Sequence, residues 1–268
     1  MTAPTPIALT IAGSDSGGSA GVQADIKAMS ANGCYSASVI TAITAQNTTA
    51  VTAIHEVPAD LVVAQIEAVL SDIDVRAIKL GMLSSEPIID AVAAAIEGFA
   101  GPIVVDPVMV AKSGDILLQR SAINAMIDKI LPLATLMTPN LPEAAQLLGE
   151  VQAETPDEMA AQGMRLLSLG PAAVLMKGGH AQGNACTDVL VGKSGVLATL
   201  SSGRVATRNT HGTGCTYAAA IAANLSKGVV LDAAVGAAHR YLQGAILAAD
   251  TLHIGKGHGP VHHFYGQW

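Results

Sequence analysis

The residues with the most chemical promise stand where the chain changes from loop to helix, in Thr210-His211-Gly212-Thr213-Gly214-Cys215. This polar, glycine-punctuated run enters an alanine-rich helical pattern. The first N–H groups of a helix have no partner inside it, so they can take up a phosphate or a developing oxyanion. Gly212 and Gly214 lack Cβ atoms, which lets a ligand approach the main chain closely. Cys215 shares the positive field of the helix start, which predicts a thiolate-prone nucleophile or base. The competing reading of the same stretch is an ordinary helix cap with a small buried cysteine.

Other positions carry a chemical and a structural meaning side by side. Asp106 ends an apolar run reading PIVVD, where a carboxylate can hold hydrated Mg²⁺ or orient a phosphate, or can simply cap the next loop. Asn140 and Glu143 present oxygen-bearing side chains three apart on one helical face, and they fit equally a capping box. Lys177, followed by two glycines, offers a cation and exposed N–H groups, or is a strand-end lysine in water. The tail His258-Gly-Pro-Val-His262-His263 has no cysteine or carboxylate at a recognised zinc spacing, so packing or subunit contact is expected there. The GGSAG run near the start is not a Walker A loop, because no Gly-Lys-Ser/Thr follows it. Met109, Met126, Met137 and Met164 are expected to fill the core.

Composition narrows the class. With 268 residues, 50% hydrophobic and 13% charged, the chain can bury a large α/β core and is far from a disordered composition. No apolar run reaches the roughly 18 to 20 residues that span a bilayer; the longest candidate, residues 61–70, carries Gln65 and Glu67. No basic region precedes the first apolar stretch, so a secretory signal is not expected. Three cysteines, Cys34, Cys186 and Cys215, do not suggest a disulfide framework, and a reducing cytoplasm fits them best. A formal charge of 14 − 21 = −7 argues against non-specific nucleic-acid binding.

The elements that must position these residues alternate along the chain. Strands are expected at residues 7–12, 37–45, 51–57, 77–80, 102–106, 135–138 and 172–176, with a hairpin of 187–191 and 196–200. Helices are expected at 22–32, with Val22, Ile26 and Met29 on one face, and at 58–70, 86–99, 122–130, 140–148, 156–169, 213–225 and 231–249. Residues 14–21 read as a flexible polar loop, and 107–115 as a loop rich in possible contacts. Such alternation implies βαβ units and a mainly parallel sheet covered on both faces. No repeat or low-complexity linker divides residues 1–268, so one domain is the economical reading. Ligands of open parallel sheets bind beyond the carboxyl ends of the strands, where Asp15, Gln46, Asp106, Asn140 and Lys177 gather.

Eight motifs, in order, carry a resemblance. They are TIAGSDSGGSAGVQADIK, VITAITAQNT, KLGMLSS, VVDPVMVAKSGD, TPNLPEAAQLL, AVLMKGGH, NTHGTGCT and GKGHGPVHHF. Together they cover the chain end to end, which resembles the hydroxymethylpyrimidine/phosphomethylpyrimidine kinases of thiamine biosynthesis, within the ribokinase-like superfamily. The resemblance implies a three-layer α/β/α sandwich around a mostly parallel sheet, commonly assembled as a homodimer. It implies ATP as co-substrate with Mg²⁺, and transfer of phosphate to 4-amino-5-hydroxymethyl-2-methylpyrimidine and then to its monophosphate.

Carried over motif by motif, the resemblance gives Gln46 the aminopyrimidine, with Gly13, Asp25, Met82 and Val108 completing the pocket. Asp106, Asn140 and Glu143 would serve the phosphates of MgATP through the metal or its waters, Asp106 and Glu143 as its ligands. Lys177 and the loop holding Thr210, Gly212, Thr213 and Gly214 would touch the phosphates directly. Cys215 stands where many related sugar kinases have an aspartate base. The chain departs from the pattern in two places: SDSGG lacks the proline that commonly follows the aspartate, and Tyr217-Ala218 stand where Leu or Phe and then Ser are usual. A pyridoxal kinase of the same superfamily and a non-catalytic binding protein are the alternatives. The Gln46 amide favours an aminopyrimidine over the first, and the intact phosphate motifs speak against the second.

Overall fold

Period-two apolar runs become the strands of one sheet. The computed structural model describes residues 4–109, 120–181 and 183–268. Its strands are β1 (Ile7–Asp15), β2 (Tyr35–Gln46), β3 (Val51–Glu56), β4 (Ala77–Leu80), β5 (Ile103–Val105), β6 (Leu136–Met137), β7 (Ala173–Met176), β8 (Ala185–Gly192) and β9 (Gly195–Gly203). They lie in the order β3-β2-β1-β4-β5-β6-β7-β8-β9. The run from β2 to β7 is parallel, and β3, β8 and β9 pair antiparallel at the two ends. The strand order reverses at β1, which opens a crevice between β1 and β4 of the kind in which α/β proteins bind ligands.

The helices are α1 (Gly21–Ala31), α2 (Ala59–Leu70), α3 (Glu86–Ile96), α4 (Arg120–Ala125), α5 (Leu141–Leu148), α6 (Pro156–Leu166), α7 (Thr213–Ser226) and α8 (Leu231–Leu247). One core lies beneath α2 to α6 and takes Leu9, Ile11, Ile78, Leu80, Val105 and Met137 from the sheet. The other lies beneath α1, α7 and α8 and takes Ala8, Ala77, Val104, Leu136 and Leu175. Neighbouring strand residues thus go to opposite cores, as the pleat requires. Each large aliphatic side chain so buried contributes roughly 1.5–3 kcal/mol. No helix among the described residues is long and apolar enough to cross a membrane.

Several expected boundaries move for identifiable reasons. β1 runs on through Gly13 to Asp15, because beyond a bulge at Ala12/Ser14 it still pairs with Ile43 and Thr44 of β2. The loop expected to be flexible is correspondingly shorter and tied down: the Asp15 carboxylate accepts the N–H groups of Gly17 (2.8 Å), Ser19 (3.0 Å) and Ala20 (2.8 Å). The helix expected at 122–130 is α-helical only to Ala125 and π-helical from Met126 to Ile130. On α1 the buried face holds Val22, Asp25 and Met29 and leaves Ile26 partly exposed. Met109, Met126 and Met137 are core residues, but Met164 is 39% exposed on the outer face of α6. Of the expected contact loop, residues 110–115 lie outside the described residues, as does that part of the VVDPVMVAKSGD motif.

α7 is unusual in being buried on every side from Tyr217 to Ser226, with five alanines among those ten residues. Methyl side chains let it lie close to β1, β4 and β5 while α1 and α8 cover it. Its first turn therefore projects over the carboxyl ends of those strands.

Candidate active site

A cavity of about 620 Å³ occupies that end of the sheet. The N-terminus of α7 forms one wall, supplied by Thr210, Gly212, Thr213, Gly214 and Cys215. Gly212 caps the helix in the left-handed conformation (φ 79°), and a Cβ there would lie 1.8 Å from the Ser19 carbonyl oxygen. Thr213 Oγ1 donates to Thr210 O at 2.7 Å, and Thr216 N donates to Gly212 O at 2.8 Å. A glycine-built helix start thus borders the cavity.

The adjoining wall is acidic and cationic at once: a Cβ on Gly214 would stand 3.4 Å from both Asp106 Oδ2 and Lys177 Nζ. Lys177 Nζ donates to Asp106 Oδ1 at 2.7 Å, and Thr138 Oγ1 donates to the same oxygen at 3.1 Å. Burial would raise the Asp106 carboxyl, but the Lys177 and Lys79 ammonium groups outweigh it and hold the carboxyl below its usual range. Burial likewise opposes the Lys177 charge, and Asp106 and Glu143 overcome it. Glu143 is pushed up to about 7, chiefly by burial and also by the charge of Asp106. Asn140 and Glu143 form the capping box in full, Glu143 N to Asn140 Oδ1 at 2.9 Å and Asn140 N to Glu143 Oε2 at 2.8 Å. Both still line the cavity, so capping and ligand contact are compatible at these two positions.

The third wall is neutral. Gln46 lies at the end of β2, where its Oε1 accepts from Thr44 Oγ1 at 3.1 Å and its Nε2 stands 3.3 Å from His211 Nε2. The Thr44 hydroxyl, which also donates to Ser14 O at 2.8 Å, and the His211 ring flank the amide, which brings both a donor and an acceptor to the cavity. Met82 and Val108 line the cavity beside it. Gly13 does too, and a Cβ there would meet the Met82 methyl at 2.4 Å.

Two expectations need correction. Asp25 does not line the cavity. It lies beneath it, fully buried, with Oδ2 accepting from Thr10 Oγ1 at 2.6 Å and from Lys79 Nζ at 2.8 Å. Burial works against both charges, but the Asp25 carboxylate holds the Lys79 ammonium above the ordinary lysine range. Burial raises the Asp25 carboxyl on balance, and the Lys79 ammonium and the Thr10 hydroxyl on its Oδ2 are what favour the charged form. The second correction concerns Cys215, whose thiol is not poised as a thiolate. Burial pushes it up to about 11, and the lowering effect of Lys79 is outweighed. Cys215 is partly exposed to the cavity, so the helix start and Lys79 both act on it, but desolvation by the surrounding protein is the larger effect.

Lys79 lines the cavity and was missed in the sequence, although a lysine inside the four-residue strand AIKL was a signal of a paired, buried charge. His211 lay within the loop singled out but had no assigned part; its position against Gln46 follows only from bringing β2 and α7 together. Two of the three tail histidines pack, His263 with Nε2 2.9 Å from Thr216 Oγ1 and His262 with its ring 4.7 Å from that of Trp268, while His258 is exposed.

A mostly parallel sheet between helical layers, with a helix N-terminus beside a lysine and an aspartate at the strand ends and a glutamate in the first turn of α5, defines a small-molecule kinase of the ribokinase-like fold. The structure superposes on the Bacillus subtilis pyridoxal kinase solved as an ADP complex with a TM-score of 0.89 at 34% identity, over 97% of this chain and 98% of that one. It matches the phosphomethylpyrimidine kinase of Clostridium difficile with a TM-score of 0.78 at 43% identity, over 90% and 99% of the two chains. In sequence it is 55% identical to the hydroxymethylpyrimidine/phosphomethylpyrimidine kinase of Rhizobium meliloti over 98% of this chain and 99% of that protein. The corresponding Escherichia coli kinase is 46% identical, over 97% and 98%. The phosphomethylpyrimidine kinase family model matches residues 15–262, and the chain belongs to that family.

Proposed function

We propose that this protein transfers phosphate from ATP to 4-amino-5-hydroxymethyl-2-methylpyrimidine and then to the monophosphate, giving the pyrophosphate. The observation that carries this reading is the Gln46 amide, held by Thr44 and His211 in the same cavity as the α7 N-terminus and Lys177. Its oxygen would accept from an exocyclic amine while its NH₂ donates to a ring nitrogen. Gly13, Met82 and Val108 would enclose the ring. In each round an acceptor oxygen bonds to the terminal phosphorus of ATP as the bond to ADP breaks. Such a transfer asks mainly for positioning and neutralised charge. The N–H groups at Gly212 to Gly214, the Thr210 and Thr213 side chains and the Lys177 ammonium would supply these. In the first round the hydroxymethyl proton must also leave, and Cys215 is the group proposed to take it.

Asp106 and Glu143 fit a magnesium ion. Two carboxylates against the one ammonium of Lys177 leave a net negative charge on oxygen donors once Glu143 is ionised. That matches the usual holding of Mg²⁺ by one or two carboxylates together with substrate phosphates. When bound, the ion would neutralise phosphate charge; Asn140 would orient the Glu143 carboxylate.

The chain is read as one kinase domain in a homodimer. Support for the dimer comes from the exposed edge strand β3, where Ile54 and the adjoining Ile43 of β2 stand in solvent; light scattering at the mass of one chain would count against it. Three free cysteines suit a reducing cytoplasm.

The decisive assay measures ATP consumption with hydroxymethylpyrimidine, its monophosphate and pyridoxal side by side. Turnover of pyridoxal alone would replace this reading with that of a pyridoxal kinase, the name borne by several structural relatives. Gln46→Leu is expected to weaken pyrimidine binding by roughly 1–3 kcal/mol, since the ligand's buried polar edge loses its match. Unchanged affinity by calorimetry would remove Gln46 from the pocket.

Alanine at Asn140 or Glu143 is expected to raise the Mg²⁺ concentration needed for half-maximal turnover. Loss of the capping box should cost only about 0.5–2 kcal/mol of stability. Because the Glu143 carboxyl sits at about 7, the wild-type Mg²⁺ requirement should climb as pH falls below 7 and protonation removes the carboxylate. Mutants that lose stability but keep the wild-type Mg²⁺ dependence would leave these residues with capping alone.

A further inference from the structure

The Lys177 side chain ends in the cavity, but the peptide groups flanking its Cα are fixed from elsewhere. Its own N–H donates to Pro139 O at 2.9 Å. The next N–H, that of Gly178, donates to Asp188 Oδ1 at 2.8 Å in a buried hydrogen bond. Asp188 belongs to β8, is 8% exposed and is not among the residues lining the cavity. The turn is built around this contact: a Cβ on Gly178 would stand 1.9 Å from the Thr187 carbonyl oxygen, so β8 passes it backbone against backbone. Burial pushes the Asp188 carboxyl up, and the Gly178 N–H is the foremost of the groups that counter it. Tyr217 of α7 and His239 of α8 also lie in its field, with their rings 6.3 Å apart. The Tyr217 hydroxyl is close enough to feel this carboxylate, yet it is buried outside hydrogen-bond geometry.

We infer that Asp188 is a positioning residue for phosphoryl transfer: by holding the Gly178 N–H it sets the direction in which Lys177 enters the cavity. This rests on the proposed role of Lys177 toward the ATP phosphates. Lysine is a flexible point charge with no planar fork to orient it, so the course of its backbone decides where the ammonium can reach. Losing the acceptor removes the restraint on the Gly178 N–H and leaves the Lys177–Gly178 peptide held only from the Lys177 side, by its bridge to Asn140. A misplacement of about 1 Å caused outside the reacting groups can slow catalysis about 10²-fold.

The test is a double-mutant cycle with Lys177. Asp188→Ala should lower kcat with hydroxymethylpyrimidine about 10²-fold, while calorimetric affinity for the pyrimidine alone stays within about twofold of wild type. Asp188→Asn, which keeps an acceptor oxygen in place, should restore most of the rate. Added to Lys177→Ala, Asp188→Ala should cause no more than about a further twofold loss, because the residue it positions is gone. Equal losses in both backgrounds, an Asn variant as slow as the Ala variant, or a parallel fall in pyrimidine affinity would each overturn the inference. If the wild-type chain turns over no pyrimidine, the proposed function fails by itself. The affinity of an ATP analogue with a methylene bridge between its last two phosphates still tests Asp188, with a drop of about tenfold expected in Asp188→Ala and none beyond that of Lys177→Ala in the double variant.

Discussion

Lys79→Met is expected to destabilise the fold by about 3–5 kcal/mol, the usual cost of removing one partner from a buried ion pair. Asp25 would be left buried beneath the cavity with only the Thr10 hydroxyl to answer it, either bearing an unpaired charge or taking up a proton because burial already raises its carboxyl, and its Oδ1 is without a partner. Adding Asp25→Asn removes the second charge and should recover much of the loss, because the pair as a whole is worth far less than either half alone. Denaturant midpoints for the wild type, the single variant and the double variant measure this directly. A single variant that unfolds at the wild-type midpoint would mean that the pair is carried neutral.

Cys215→Ala is expected to separate the two phosphorylation steps. The first attack comes from an alcohol, and a base beside it typically accelerates such a step by about 10² to 10⁴. The second comes from a phosphate whose last proton leaves near pH 6, so it needs no base. Hydroxymethylpyrimidine turnover should therefore fall steeply in the variant while monophosphate turnover changes little, and the anion hole of Gly212 to Gly214 keeps some activity in both. The protonated resting thiol adds a pH signature. With Cys215 at about 11, the reactive thiolate is a minority form at neutrality and grows about tenfold per pH unit below that value. The wild-type first step should accelerate toward alkaline pH, and the alanine variant should lose that slope. Equal fractional losses in single-turnover rates of the two steps would mean that Cys215 shapes the site without acting as its base.

Much of this arrangement could be read from the chain before folding. Strand and helix order followed from periodicity, and the positions of Gln46, Asp106, Asn140 and Lys177 followed from their standing at strand ends. What could not be read were effects that depend on neighbours distant in sequence. The resemblance alone put Asp25 in the pocket; only the register of β1 against β4 shows Lys79 set against it. The same burial that makes Lys79 an ion-pair partner raises the Cys215 thiol, reversing the expectation drawn from the helix dipole alone. Asn140 and Glu143 carry no mark in the sequence that separates a capping box from a ligand contact, and in the fold one pair of side chains meets both conditions.

The alanine run of α7 has a bearing on how this chain can vary. Residues 218–220, 222 and 223 are alanines with no measurable exposure, and none of them lines the cavity. Adding methylenes inside a packed interior costs roughly 1–3 kcal/mol, and here the strain would be relieved by lifting the helix away from the sheet. Because its first turn is the proposed anion hole, a change of volume two turns away would be felt there as a displaced phosphate contact. Tolerance to substitution along this helix is thus governed by how near a backbone must lie to its neighbours. A mutational survey would find a constrained stretch that never meets a substrate.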